Sequence, residues 1–380
     1  MIEHFHLSWP KTCFAYKFLR KGSIEFNHFN VVKLIGLGAF GKVYLCEHKL
    51  TGETVVIKAI KKLFVTNCKH ENLIRQENQV LRVLSRCPCP FILKTLATFQ
   101  DSSMLYIITE FVSGGELAYQ LEVAPHQKFS EGRARFYVAE LLVAIEYLHT
   151  KEQIVYRDIK LENIVLDKKG HIKLIDYGFS KKLFKGEKTY TCCGTTEYLA
   201  PEVIMGVGYS FEADVWSIGV LLYKMVVGRA PFFTSDLRCR KVRFYSAQFK
   251  VILSGKFNLP YYLSAALKDL ICSLLQVQRR YRLGSINGLV DIKKHEWFSG
   301  IDWGAIKKKT VKPPKPYSYE NLNLNNPYWH SNSGDFFLLM IAWRRGKHLL
   351  CGPVCNSQRS VEYHCEQSTA FDRECNAITD

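Results

Sequence analysis

The chain predicts an α+β fold in two lobes, a small β-rich one followed by a larger helical one. Three observations lead there. From Phe26 to Ile60, "FNVVKLIGLGAFGKVYLCEHKLTGETVVIKAI" sets β-branched and aromatic residues around Gly turns, a strand-and-turn pattern. "LYIITEFV" (105–112) reads as a buried strand, and "SGGE" (113–116) breaks it. Beyond that break the apolar residues recur mostly at helical spacing. The two parts meet near 110–115, and no internal repeat is visible.

Taken in order, residues 1–25 show no clear periodicity and form an extension. "HENLIRQENQVLRVL" (70–84) places Leu73, Val80, Leu81 and Leu84 on one helical face and is the only helix expected in the β-rich part. "SEGRARFYVAELLVAIEYLHT" (130–150) opens on Ser130, a good N-cap. The apolar runs 164–166 and 172–175 predict a short hairpin. "EADVWSIGVLLYKMVVG" (212–228) is an apolar helix ending at Gly228, and "LKDLICSLLQV" (267–277) is another. The expected organisation is an extension (1–25), a small lobe (26–112), a large lobe (113–298), a tail (299–330) and an unassigned end (331–380) that matches no motif and is expected to be poorly ordered.

Composition narrows the function. Of 380 residues, 47% are apolar and 23% charged, ordinary for a globular protein. No apolar run approaches the ~20 residues of a membrane span. The longest C-terminal one is "FFLLMIAW" (336–343). There is no signal-peptide layout and no Met-Gly for N-myristoylation, so a cytoplasmic location is expected, with the nucleus open as a second compartment. Thirteen cysteines lack metal-site spacing and suggest free thiols in a reducing compartment. The net charge of +17 invites a nucleic-acid reading, but the cations are spread out and their longest block is "KKK" at 307–309. A nucleic-acid partner is therefore not expected.

"GLGAFGKV" (36–43) fits a glycine loop whose backbone N–H groups cover phosphates. A dinucleotide-binding fold is the rival, but there the glycines open a helix, whereas here an alternating strand follows. Lys58 in "VVIK" falls on the next strand, where an ammonium can meet α- and β-phosphates. Such a lysine needs a positioning acid. Glu77 is the candidate, although a helix glutamate is more often solvated. "YRDIKLEN" (156–163) supplies what phosphoryl transfer requires. Asp158 can take a hydroxyl proton, Lys160 can neutralise the migrating phosphoryl group, and Asn163 can bind Mg²⁺ through its amide oxygen. Asp176 in "IDYGF" adds a carboxylate for Mg²⁺, and the hairpin between them is a rigid mount.

In that order, GxGxxGxV (36–43), VVIK (55–58), RDxKxxN (157–163), DYG (176–178) and APE (200–202) resemble the eukaryotic Ser/Thr protein kinases over residues 26–298. "YRD", "CCGTTEYLAPE" (192–202) and "HEWFSGIDW" (295–303) are similar to the AGC group, most of all to the cyclic-AMP- and cyclic-GMP-dependent kinases, with the length of 178–191 leaning to the cyclic-GMP branch. The resemblance implies a bilobal kinase fold, ATP and Mg²⁺ as cofactors, and protein substrates carrying upstream arginines. It implies ATP contacts at Ile35, Gly36, Leu37, Gly38, Ala39, Phe40, Gly41, Lys42, Val43, Lys58, Glu77 and Thr109, with backbone groups of Glu110 and Val112 offered to adenine. Catalysis falls to Asp158, Lys160 and Arg157, and Mg²⁺ to Asn163 and Asp176. Glu116, Glu162, Lys224, Thr195 and Leu199 fall in the substrate site. Thr191 becomes the activation phosphosite, its phosphate facing Arg157 and Lys181, added by an upstream kinase or by autophosphorylation. Glu202 would pair with Arg282, and Asp214 and Trp216 would anchor the long helix. No cyclic-nucleotide-binding module is visible, so such regulation would come from a separate subunit.

The departures are specific. Tyr177 stands for the usual Phe and needs a partner for its hydroxyl. Val56 replaces a small alanine over the adenine site, Leu73 a histidine, and Thr196 a proline. "VKPPKPYSYENL" (311–322) resembles the start of the family tail, but no Phe-x-x-Phe follows. Lys224 reverses one of two acids that read an arginine two residues before the target; pointing into the pocket it can pair with Glu162 and leave little or no preference there, and pointing to solvent it matters little. An inactive kinase-shaped scaffold remains the alternative.

Overall fold

The computed structural model describes residues 12–13, 24–38, 41–67, 71–233 and 241–317. All of them lie in one compact unit, Met1–Gly346. Ala39 and Phe40 of the glycine loop, the segment 318–330 and the end 331–380 lie outside the described residues.

The small lobe is a six-stranded antiparallel sheet of β1 (Thr12–Cys13), β2 (Phe29–Gly38), β3 (Gly41–His48), β4 (Thr54–Lys61), β5 (Thr95–Gln100) and β6 (Met104–Glu110), in the order β1-β5-β6-β4-β3-β2. Alternation decides which way each side chain points. On β4, Val55, Ile57 and Ala59 enter a core with Phe29, Cys46, Leu96 and Phe99, so Val56 and Lys58 face the other way. Stacked rings of Phe26, Tyr106 and Phe99 close that core, with centroids 5.1 and 4.5 Å apart. β1 is an addition: Thr12 and Cys13 pair with Thr98 and Ala97, in a stretch whose sequence has no period to reveal it.

Two helices, not one, interrupt the sheet: α1 (Lys62–Asn67) and α2 (Glu71–Leu84). α1 spans six residues, too few for a periodic signal. On α2 the buried positions are Ile74, Glu77, Asn78, Val80, Leu81 and Leu84, so Glu77 lies on the face that packs inward.

After residues 111–116 the chain is helical: α3 (Leu117–Glu122), α4 (Glu131–Tyr147), α5 (Pro201–Met205), α6 (Glu212–Val227), α7 (Lys241–Ser254), α8 (Ala265–Leu274), α9 (Leu289–Lys293) and α10 (Trp303–Lys307). Ser130 caps α4 by accepting from the Arg133 N–H at 3.3 Å. α6 is buried nearly all round and stops at Gly228, whose φ of +86° suits glycine. Small strands β7 (Ile154–Val155), β8 (Ile164–Leu166), β9 (Ile172–Leu174) and β10 (Lys181–Lys182) pair as β7 with β10 and β8 with β9. The last described segment is fastened to α4 and to the hairpin: Lys293 to Glu146 at 2.6 Å, Trp297 Nε1 to Glu131 at 3.2 Å, and Lys309 to Asp167 at 2.5 Å. Among the described residues, no helix is long and apolar enough to cross a membrane. Cys46, Cys87, Cys89, Cys192, Cys193 and Cys272 are free, and four of these six are buried.

Candidate active site

The site begins with the β2–β3 turn. Gly38 and Gly41 pair across it, and a Cβ on Gly41 would sit 1.9 Å from the Ala59 carbonyl oxygen on β4. Only glycine lets β3 and β4 close there. Ile35 is buried, Leu37 and Lys42 are exposed, and Gly36 stands opposite Val43. In register on β4, Val56 lies between Leu45 and Thr109, so its bulk sits beside Thr109.

Lys58 Nζ lies 2.7 Å from Glu77 Oε1 and 3.5 Å from Asp176 Oδ1. Burial works against the lysine's charge, but Asp176 and Glu77 outweigh it and hold its pKa above the usual value. For Asp176, burial is likewise outweighed by Lys58, the Gly178 N–H and Lys160, which hold its carboxyl below the usual range. A buried helix glutamate with a cation 2.7 Å away is an engaged group, not a solvated one.

Asp158 is the centre of the second group. Its Oδ1 accepts from the Thr195 N–H at 3.0 Å and the Thr195 hydroxyl at 2.9 Å. Its Oδ2 accepts from Asn163 Nδ2 at 2.9 Å and lies 3.1 Å from Lys160 Nζ. Lys160 also donates to Thr195 Oγ1 at 3.0 Å. Burial opposes the Lys160 charge, but Asp158 prevails and raises its pKa. Asp214, at the start of α6, accepts from the N–H groups of Tyr156 and Arg157 at 2.8 Å each and thereby fixes the loop. Arg157 and Asp176 both have left-handed backbones, φ 73° and 56°. For residues other than glycine that geometry persists only where surrounding contacts impose it.

The hairpin mount is as expected. β8 and β9 pair Ile164 with Leu174, and the Ile175 N–H donates to the Asn163 carbonyl at 2.9 Å, tying together the residues that flank the hairpin. With Nδ2 of Asn163 committed to Asp158, its Oδ1 is left for a cation. One carboxylate and one amide oxygen form a hard, sparse donor set, which fits Mg²⁺ shared with substrate phosphates. The Tyr177 hydroxyl donates to the Leu174 carbonyl at 2.9 Å, the partner its replacement of Phe requires.

The stretch 113–116 is pinned to β8. The Gly114 N–H donates to the Leu166 carbonyl at 2.7 Å, and a Cβ there would lie 2.3 Å from that same oxygen. Glu110 turns its side chain away to Lys173, 2.6 Å distant, and Val112 is half-buried. Glu116 follows, and its pKa is pushed up to about 7 by burial and by neighbouring Glu162.

One expectation needs correction. Lys224 does not pair with Glu162. Its Nζ lies 2.6 Å from Glu197 and 5.4 Å from the Tyr198 ring centroid. Glu197 lies in the 3₁₀ turn Thr196–Tyr198, which α6 packs against, so it captures the cation first. Glu162 is left with a buried Oε2 that has no hydrogen-bond partner. Arg157 reaches the Thr191 backbone through Tyr209. Its Nε donates to the Phe179 carbonyl at 2.5 Å, and Nη1 reaches Thr189 Oγ1 and the Tyr209 hydroxyl at 3.4 Å each. Tyr209 in turn donates to the Thr191 carbonyl at 2.6 Å, and Lys181 lies 3.9 Å from Glu187. Thr191 itself is exposed, and Leu199 is buried. Tyr209 and Glu197 are the contributors that motif spacing did not reveal: Tyr209 lies outside every motif, and Glu197, although inside "CCGTTEYLAPE", carries no expected role there. Glu202 and Arg282 do pair, at 2.6 and 2.9 Å, with Trp216 5.1 Å from the guanidinium.

Residues 29–298 match the family model described as the protein kinase domain. The chain belongs to the protein kinase family. It is 41% identical over 287 residues to the human cAMP-dependent protein kinase catalytic subunit PRKX, covering 75% of this chain and 76% of that one. The cAMP-dependent protein kinase catalytic subunit of Dictyostelium discoideum is 38% identical, covering 75% of this chain and 42% of that one. The Arabidopsis thaliana serine/threonine-protein kinase AtPK1/AtPK6 is 37% identical, covering 77% and 60%. This kinase is a protein serine/threonine kinase of the AGC type, similar to cAMP-dependent catalytic subunits, with ATP as its substrate.

Proposed function

We propose that this kinase transfers the γ-phosphate of Mg-ATP to serine or threonine in arginine-containing proteins. The observation that carries the reading is the linked set Glu77–Lys58–Asp176 and Asn163–Asp158–Lys160–Thr195. Asp158 accepts the hydroxyl proton, and Thr195 and Asn163 hold its two oxygens in place. Lys160 neutralises charge on the migrating group, and Lys58 anchors the α- and β-phosphates. Mg²⁺, held by Asp176 and Asn163, would supply charge neutralisation across the β- and γ-phosphates. The test is phosphate transfer to an arginine-containing serine peptide with Mg-ATP, alongside Asp158→Asn. Transfer that survives in the variant would remove Asp158 from its role. No transfer by the wild type would favour a scaffold.

Glu116 is assigned to an arginine three residues before the target and Glu162 to one two residues before it. Since Glu197 engages Lys224, no lysine pairs off Glu162, but Glu162 lacks a second acid, so the second preference is weak, not absent. Lys224→Glu is expected to strengthen it by about tenfold, the scale of one charge-paired contact. A positional-scanning peptide array that gives the same ratio for wild type and variant would sink this assignment.

Glu116 also makes recognition pH-dependent. With a pKa near 7, its carboxyl is mostly neutral at pH 6 and mostly ionised at pH 8, and only the ionised form attracts a guanidinium. KM for a peptide with arginine at that position is therefore expected to fall about tenfold from pH 6 to 8. A norleucine peptide should show no such fall, and Glu116→Gln should flatten the profile. Parallel profiles for both peptides would contradict it.

Thr191 is proposed as the phosphosite, modified by an upstream kinase or by the enzyme itself. Its carbonyl already shares Tyr209 with Arg157. Thr191→Ala is expected to lower kcat/KM about tenfold, the loss of one charge-assisted contact. An unchanged value with phosphate present at Thr191 in the wild type would dismiss the switch. A separate cyclic-nucleotide-binding regulatory subunit and a cytoplasmic location complete the proposal.

A further inference from the structure

Between Lys181 and Thr191 the chain forms a knuckle anchored at both ends. On one side β10 pairs with β7, and Leu183 is fully buried with its N–H donating to the Gln153 carbonyl at 2.7 Å. On the other, Thr189 is buried and bridges to Tyr209. The residues between, 184–188, are all exposed. A tight turn shapes them: the Glu187 N–H donates to the Phe184 carbonyl at 2.9 Å, and Glu187 Oε2 accepts from the Phe184 N–H at 3.0 Å.

That arrangement sorts the charges. Glu187, the knuckle's acid, is used up inside the turn and toward Lys181. Lys182, Lys185 and Lys188 are exposed, and no described carboxylate pairs with any of them. Phe184 is 65% exposed, and Tyr190 beyond it is 59% exposed. A convex knuckle thus carries three free ammonium groups around an uncovered phenyl ring.

We propose that this knuckle seats on an anionic lipid surface. Lysines beside an exposed aromatic ring suit the headgroup boundary, where the ring leaves water while the ammonium groups meet lipid phosphates and carboxylates. The shape favours lipid over other acidic partners. Bases stack on aromatic platforms along grooves, and this surface is convex. A stable protein interface buries on the order of 1,000 Å², and five exposed residues offer a small part of that. A fluid lipid surface needs no complementary shape. Each lysine near an anionic leaflet strengthens association roughly fivefold, so three together contribute roughly a hundredfold. Seating would hold the activation segment at the surface, and a phosphate on Thr191, three residues past Lys188, would weaken it by repulsion.

The test is cosedimentation of the full chain with phosphatidylcholine vesicles, with and without about 30% phosphatidylserine at about 0.1 M salt. Binding only to the anionic vesicles is expected. The Lys182→Gln/Lys185→Gln/Lys188→Gln variant should lose most of it, at least tenfold. Phe184→Ala should lose severalfold. Phosphorylation of a soluble peptide should be unchanged in both. The control is Lys168→Gln/Lys169→Gln/Lys294→Gln, three exposed lysines elsewhere with the same change in net charge. An equal loss in the control would mean diffuse attraction and overturn the proposal, as would equal binding to neutral vesicles. Turn-dependent capture by polyglutamate or RNA, indifferent to Phe184→Ala, would reassign the knuckle to an acidic polymer and overturn it too.

Discussion

Asp176→Ala is expected to lower kcat by about 10²–10³-fold or more, the scale seen when one preorganised charge-stabilising group is removed from an active site. The carboxylate lies 3.5 Å from Lys58 and accepts from the Gly178 N–H at 3.1 Å, so its removal leaves the lysine with Glu77 alone and Asn163 as the remaining assigned metal ligand. The fold should survive. Asp176 is a half-exposed group, and the left-handed backbone at φ 56° adds only about 1–2 kcal/mol of strain for alanine. The diagnostic readout is a magnesium titration with a circular-dichroism control. A variant that keeps its spectrum and stays inactive at saturating magnesium bears out the role. Transfer within a few-fold of wild type would assign the metal to other groups.

Arg282→Ala should produce the largest loss of stability. The guanidinium is fully buried, forks onto both oxygens of Glu202 at 2.6 and 2.9 Å, and donates to the Glu212 carbonyl at 2.8 Å. Removing one partner of such a pair leaves a buried carboxylate without compensation, at about 3–5 kcal/mol. For a domain of this size that lowers Tm by roughly 10 °C. Arg282→Lys should recover little, because an ammonium cannot fork onto a carboxylate. Replacing both partners by Met and Leu should recover more than either single change. A single Arg282→Ala variant that melts within about 2 °C of wild type would mean the pair contributes little, as many ion pairs do.

The parts legible in the sequence were those where chemistry and spacing coincide. Lys58 faces the cleft because β4 alternates, and Glu77 meets it because α2 repeats at helical spacing, so two periods bring the pair together. The hairpin between Asn163 and Asp176 was visible in its apolar runs. Partner choice was not. Lys224 sits near the end of α6 with two acids as alternatives, and tertiary placement selects Glu197 over Glu162. Tyr209 gave no signal because its role depends on a bridge between Thr189 and its own backbone, eighteen residues beyond the Thr191 carbonyl its hydroxyl reaches. Short elements such as β1, α1, α5 and α9 span too few residues for any period to show.

The ties from the last described segment back to α4 and the β8–β9 turn set an order on folding. The five strands β2 to β6 draw on residues 29–110 and can pair as soon as that stretch leaves the ribosome. The large lobe cannot. Glu131, Glu146 and Asp167 wait for Trp297, Lys293 and Lys309, partners 142–166 residues downstream. At about 5–20 residues per second that delay is roughly 10–30 s. Throughout it, α4, apolar over most of its surface, lacks its final cover. During synthesis the helical lobe, not the sheet, is therefore the part most in need of a chaperone.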